Sequence, residues 1–214
     1  PQIPLETIPP LHNVLDCGKL TITLTAYYSY RRGLPFMTST IRSGDGVDIR
    51  QSGFNVPTGS ISSFDYTDKH EFFVDAVRSF CTGNYRIAPN GQNAQFSDTV
   101  PIELTREFML PGVLYYLDGH VMILAEIGEY GEVHFLDSTT AASRDIYTHN
   151  SMNGVVGLTP KGKNQFDPFD GCYRGFRIYR FPIAETDASG NVTRVRRRTD
   201  EEMREFGLSL EQYE

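Results

Sequence analysis

Residues 16–35 have the sequence DCGKLTITLTAYYSYRRGLP, and their local structure determines how the neighbouring segments can pack. The β-branched alternation over 21–25 is typical of a strand. The end of the stretch favours a helix, because two arginines precede Gly33, which can cap a helix, and Pro35, which stops one. One helical face also collects the apolar residues Leu20, Leu24, Tyr27 and Tyr28. We therefore predict a helix over 17–32.

The segments on either side of this helix differ in composition. Residues 1–13 are rich in proline and polar residues, which predicts an extended N-terminal arm. The segment at about 38–99 begins with residues 38–66, which are rich in Ser, Gly, Thr and Asp, so we expect a long loop region with at most short strands over 38–66. Within this segment, Asp68 and Glu71 have the spacing of a capping box, which predicts a helix over 68–82.

The second half of the chain is typical of a sheet. Apolar runs bounded by turn residues predict strands at 113–116, 120–127, 132–137 and 175–181. A second capping box, formed by Thr199 and Glu202, predicts a short final helix. Helices followed by adjacent strands indicate an α+β fold with an antiparallel sheet, in a single domain over 1–214.

The charge of the chain argues against nucleic-acid binding, and its hydropathy argues against a transmembrane segment. The chain has 20 basic and 27 acidic side chains and a net charge of −7, whereas nucleic-acid binding needs a basic surface. The basic stretch 196–198 adjoins three acidic residues, so we expect it to form a solvated hairpin edge. No apolar run reaches the roughly 18 residues of a transmembrane segment. The chain starts at Pro1 without an apolar leader, from which we expect a mature form.

Cys17 is the first candidate for chemistry because it lies where the predicted helix begins. A thiol at that end experiences the positive pole of the helix dipole, which favours the reactive thiolate. Backbone N–H groups at the same end can bind an oxyanion. The alternative is a small buried side chain with no chemical role, which is common for a single cysteine.

His120 begins a predicted strand, a position that can hold a general base rigidly. A hairpin with a four-residue loop would place Met122 opposite Asp137, with His120 and Asp137 as diagonal neighbours on one face. Their Cβ atoms would lie about 7 Å apart or less, so the carboxylate could orient the imidazole. In this register His134 pairs with Ala125 on the other face, a choice that a β-bulge would reverse.

Two blocks of the sequence resemble the NlpC-type cell-wall cysteine peptidases. The residues 16–18, DCG, followed by a helix and by GLP at 33–35, are similar to the Asp-Cys-Ser-Gly motif and the helix end of that family. The residues 110–116, LPGVLYY, leading to GHV at 119–121, resemble its Pro-Gly-Asp and Gly-His-Val strands. Asp137 occupies the strand that carries the orienting polar residue in the family.

The resemblance implies a papain-like (NlpC-type) fold with the nucleophile helix packed on the antiparallel sheet. It implies that Cys17 attacks an amide carbonyl with help from its own N–H, that His120 transfers the proton and that Asp137 fixes the imidazole tautomer, without metal or cofactor. The implied substrate is an amide in peptidoglycan peptides, which implies a periplasmic or extracellular location. The chain departs from the family in Gly18 and Lys19, which replace Ser-Gly, and in the 103 residues from Cys17 to His120, which exceed the usual span of the family and make the segment at about 38–99 an insertion.

Cys81 is an alternative nucleophile for the same His120 and Asp137, with a spacing of 39 residues that resembles transglutaminase-like folds. The end of a helix disfavours a thiolate there. In an exported chain Cys81 could instead pair with Cys172, closing a loop of about 90 residues that contributes ~4 kcal/mol and leaves Cys17 free. Two buried thiols are the other possibility.

Two further alternatives need no thiol nucleophile. A metal site could be built from His120, His134, Asp137 and His149, although no pair has the i, i+4 histidine spacing of a metallopeptidase helix. A non-catalytic wall-binding or interaction module on the same fold could use the 12 tyrosines for stacking. Such a module would not need a reactive Cys17.

Overall fold

The computed structural model describes residues 16–87, 97–117, 120–138, 146–150 and 175–208. Within these ranges the helices are α1 (Cys17–Arg32), α2 (Lys69–Ser79) and α3 (Asp200–Met203), with 3-10 turns at Thr82–Arg86 and Arg204–Phe206. The strands are β1 (Met37–Ser43), β2 (Asn55–Ser62), β3 (Thr99–Pro101), β4 (Leu114–Leu117), β5 (His120–Ile127), β6 (Val133–Ser138), β7 (Ile146–Asn150), β8 (Gly175–Tyr179), β9 (Pro182–Thr186) and β10 (Val192–Arg197).

A six-stranded antiparallel sheet in the order β3-β8-β4-β5-β6-β7 forms the centre of the fold. Helix α1 packs against β5 and β6. Alternation along β5 sends Val121 and Ile123 into the apolar cluster shared with α1 and α2, and Leu124 into a second cluster with Tyr115 and Phe135. The predicted α+β class with an antiparallel sheet is confirmed.

Helix α1 has the predicted bounds. Asp16 caps its first turn by accepting a hydrogen bond from the Lys19 backbone N–H, at 2.7 Å. Gly33 ends it in the left-handed region, at a φ of 66°. The hydroxyls of Thr21 and Thr25, two of the β-branched residues that are typical of a strand, are satisfied within the helix by donating to carbonyls one turn earlier.

The segment at about 38–99 contains more regular structure than expected. Strands β1 and β2 have seven and eight residues and form an antiparallel hairpin, so the expectation of short strands at best was wrong. The hairpin gives little hydrophobic pattern because the buried part of β1 is polar, and Ser39 there donates its N–H and hydroxyl to the carboxylate of Asp98. Helix α2 stops at Ser79 rather than at 82, because Phe80 is extended and fully buried.

The three arginines 196–198 each face a carboxylate. Arg196 on the β9–β10 hairpin lies 2.7 Å from Glu202, and Arg197 lies 3.0 Å from the buried Asp98. The charge is offset as expected, but the three side chains are only 14–28% exposed, so the expectation of a solvated edge was wrong. No helix in the described ranges is long and apolar enough to cross a membrane.

Candidate active site

Cys17 is the first residue of α1, and its position follows from the capped start of that helix. The Asp16 cap fixes the entry of the chain immediately before the thiol. The Cys17 side chain is 6% exposed and belongs to the apolar cluster that also contains Val121 and Tyr85. The thiol is therefore held where α1 meets the central sheet, at the positive end of the helix dipole.

The β5–β6 hairpin differs from the prediction at its loop and agrees with it near the site. The loop has five residues rather than four, so His134 lies opposite Glu126 instead of Ala125. A β-bulge at Ala125 absorbs the additional residue, and the pairing beyond it follows the predicted register. Asp137 is consequently brought beside His120, as the diagonal arrangement requires.

His120 contacts both other candidate residues. Its Nε2 lies 2.9 Å from Oδ1 of Asp137, whose side chain is 2% exposed, while the His120 side chain is 39% exposed. The imidazole also forms a hydrogen bond with the Cys17 side chain. Because Nε2 faces the carboxylate, Nδ1 is the ring nitrogen that remains for the thiol.

The same two contacts shift the protonation of the imidazole. The hydrogen bond to Asp137, followed by the one to Cys17, raises the pKa of His120 to about 10 from its usual 6.5, although burial acts in the opposite direction. The charged imidazolium is thus favoured at neutral pH. A thiol, a proton-accepting imidazole and a buried carboxylate form the nucleophile, base and orienting group that acyl transfer requires.

Cys81 has a different environment. Its side chain caps the 3-10 turn by accepting the backbone N–H of Asn84, whose side-chain oxygen accepts the Cys81 N–H at 3.1 Å. Burial raises the pKa of this thiol. Within the described residues neither Cys17 nor Cys81 forms a disulfide, and Cys172 lies outside them. The contact with His120 is made by Cys17, so the geometry favours Cys17 over Cys81 as the nucleophile.

The histidines of the alternative metal site lie on three strands, β5, β6 and β7. In β6, His134 and Asp137 are separated by an odd number of residues and point to opposite faces. His149 pairs with Phe135 in the β6–β7 ladder. Among the residues that the structure describes, no three His, Cys, Asp or Glu side chains form a group that could hold a metal ion.

The two departures from the family motif both face the segment at about 38–99. A Cβ at Gly18 would lie 2.9 Å from the backbone N and the Cγ2 atom of Thr82, so a serine at this position would collide with the turn. Lys19 Nζ lies 3.5 Å from the carbonyl oxygen of Arg78 at the end of α2. The sequence did not reveal that Arg78 and Thr82 contact α1. They lie about 60 residues from it, and no local pattern marks contacts over that distance.

Comparisons with family models, curated proteins and solved structures found no match to this chain. The resemblance to NlpC-type peptidases therefore depends on the motif residues and on the geometry of the site.

Proposed function

We propose that this protein is a cysteine peptidase or amidase with a papain-like (NlpC-type) fold and the catalytic residues Cys17, His120 and Asp137. The observation that carries the proposal is the position of the His120 imidazole. It contacts the buried Asp137 carboxylate on one side and the Cys17 side chain on the other. The nucleophile also lies at a helix N-terminus packed on an antiparallel sheet, which is the arrangement that the resemblance implies.

The first half of the proposed reaction forms an acyl-enzyme. Because its raised pKa makes His120 an imidazolium at neutral pH, the reaction starts from an imidazolium–thiolate pair, and the Cys17 thiolate attacks the amide carbonyl carbon. The tetrahedral intermediate collapses with cleavage of the C–N bond, and the His120 imidazolium gives its proton to the departing amine. A thioester and a neutral imidazole remain.

The second half releases the acid. His120 accepts a proton from water as the water oxygen attacks the thioester carbonyl carbon, and the C–S bond then breaks. This step restores the imidazolium–thiolate pair and yields a carboxylic acid. Throughout both halves Asp137 keeps the ring in one orientation through Nε2.

The substrate class comes from the resemblance. We propose amide bonds of peptidoglycan peptides as the substrate, which would place the protein in the periplasm or outside the cell. The acidic net charge of −7 does not attract polyanions, and a neutral or mixed-charge peptide suits it better.

The first test is the rate of iodoacetamide labelling as a function of pH, with peptide mapping to separate the three cysteines. We expect Cys17 to react as a thiolate near neutral pH, and His120→Ala to slow that reaction markedly. Cys81 is the internal control, because its raised pKa and its capping role should keep it unreactive under the same conditions. Labelling of Cys17 that is slow and unaffected by His120→Ala would refute the proposed dyad.

The second test uses soluble peptidoglycan fragments and product analysis by mass spectrometry. We expect cleavage at an amide bond by the wild type and none by Cys17→Ala. A thiol that is reactive and depends on His120, with no cleavage of these fragments, would retain the amidase chemistry and exclude the substrate class. An inert Cys17 would instead favour the non-catalytic binding module.

A further inference from the structure

The 3-10 turn Thr82–Arg86 lies directly against the N-terminal half of α1. This turn belongs to the segment at about 38–99 and has no role in the reaction steps above. Two of its residues, Thr82 and Tyr85, touch the turn of α1 that carries Cys17. Their contacts fix the backbone next to the thiol.

Tyr85 connects to that backbone through a chain of two hydroxyl groups. The Thr21 hydroxyl donates to the carbonyl oxygen of Gly18, at 2.8 Å. That hydroxyl has one proton, and the Gly18 carbonyl accepts it. We therefore assign the Tyr85 phenol as the donor in the hydrogen bond between Tyr85 and Thr21. The order of donation is Tyr85 to Thr21 to Gly18, and Gly18 is the residue that follows Cys17.

The surroundings of Tyr85 hold its hydroxyl in place and keep it protonated. Its side chain is 1% exposed, with ring centroids 5.3 Å from Phe80 and 5.7 Å from Tyr116. Burial raises the pKa of the phenol well above its usual value, although the hydrogen bond with Thr21 acts in the opposite direction. A protonated phenol in a fixed ring stack is a directional donor toward Thr21.

Thr82 limits the position of α1 by direct contact. At Gly18 the two chains approach so closely that a Cβ atom would lie 2.9 Å from the Thr82 backbone N and 3.0 Å from its Cα. The contact is with main chain, which cannot move aside as a flexible side chain could. The 3-10 turn therefore limits how closely α1 can approach it and how the N-terminal end of α1 is oriented.

We propose that Tyr85 is a positioning residue for the nucleophile, acting through Thr21 and the Gly18 carbonyl to hold Cys17 against His120. The inference depends on the proposed function, because it assigns a role to a residue that does not itself touch the substrate. It gives the segment at about 38–99 a role in reactivity, since this segment supplies a constraint on the nucleophile helix.

The test measures Cys17 labelling against pH in Tyr85→Phe, which keeps the ring stack and removes only the hydroxyl. We expect the rate at pH 7 to fall about fivefold, the factor that corresponds to the ~1 kcal/mol of one intramolecular hydrogen bond. The pH dependence of the labelling rate should also shift, because Sγ of Cys17 is held less firmly against the His120 imidazole. Thr21→Val should reproduce both effects, and Thr21→Ser, which retains a hydroxyl, should restore the wild-type profile.

Tyr66→Phe is the matched control. Tyr66 also lies in the segment at about 38–99, and its phenol donates to Asp75 of α2, at 3.1 Å, rather than to a residue of α1. We expect a comparable change in thermal stability and an unchanged Cys17 profile in this variant. The combination Tyr85→Phe with Thr21→Val should slow labelling no more than the stronger single change, since both interrupt one chain.

The outcomes separate this inference from the proposed function. An effect of His120→Ala on Cys17 labelling, together with a Tyr85→Phe profile identical to wild type, would overturn the positioning role alone. An equal loss of labelling in Tyr66→Phe and Tyr85→Phe would also overturn it, because the effect would then be one of general stability. No effect of His120→Ala would remove the proposed dyad itself.

Discussion

Neutralising Asp137 should lower the pKa of His120. The carboxylate is 2% exposed and lies 2.9 Å from Nε2, and it makes the largest contribution to the raised value of about 10. Asparagine has nearly the same shape and can still accept a hydrogen bond from the ring, so Asp137→Asn removes mainly the charge. An adjacent opposite charge typically shifts a pKa by about 1 to 3 units. Because His120 is 39% exposed, solvent screens the pair, and we expect a fall in the lower part of that range.

The measurement is an NMR titration of the imidazole Cε1–H signals. The chain has five histidines, and the signal that is lost in His120→Ala assigns the relevant resonance. In the wild type that resonance should titrate near pH 10, and in Asp137→Asn about 1 to 2 pH units lower. Cys17→Ser should lower the pKa less, because the contact with Cys17 is the second contribution rather than the first.

A matched control is available in Asp75→Asn, which neutralises a carboxylate of α2 that does not act on His120. The His120 titration should be unchanged in that variant. A wild-type His120 that titrates near 6.5, or one whose pKa is the same with aspartate and asparagine at position 137, would refute the electrostatic account of the site.

Three further outcomes are expected. The pKa of His120 is higher in the folded state than its usual 6.5. Its contribution to the free energy of unfolding is therefore complete below pH 6.5 and is lost as the pH rises through about 10. Urea unfolding at a series of pH values should show this decline, and His120→Ala should lack it. Gly18→Ala should lower the free energy of unfolding by about 1–3 kcal/mol, because its Cβ would collide with Thr82. In the control Gly53→Ala the nearest atom to the new Cβ lies 3.7 Å away, so this change should be close to neutral. Similar losses in the two variants would contradict this reasoning. Asp16→Ala should cost about 1 kcal/mol by removing the α1 cap, as thermal unfolding followed by circular dichroism would report, and Asp16→Asn should retain most of that stability.

Local features of the sequence predicted the elements that carry the candidate site. Gly33 marked the end of α1 because capping depends on residues adjacent in the chain, whereas the Asp16 cap at its start was recognised only in the structure. The bounds of β5 followed from its apolar run in the same way. The register of the β5–β6 hairpin could be predicted from the sequence only in part. Its loop length and the bulge at Ala125 differ from the simplest hairpin, and the two deviations cancel near Asp137.

The β1–β2 hairpin shows where local pattern fails. Its buried residues include Thr38 and Ser39, whose polar groups are satisfied by Asp98 from a distant part of the chain. Hydrophobic periodicity cannot reveal a strand whose buried face is polar, because the compensating partner lies about 60 residues away.

The sequence by itself determined the helix that presents Cys17, the strand that begins at His120 and the α+β class, because these depend on short-range capping and periodicity. Only the tertiary structure decided that His120 contacts Cys17 rather than Cys81, and that Tyr85 forms a hydrogen bond with Thr21 of α1. The physical reason is that such contacts depend on how α1 is packed between the sheet and the 3-10 turn. That packing is set by many distant side chains together and by the absence of a Cβ at Gly18.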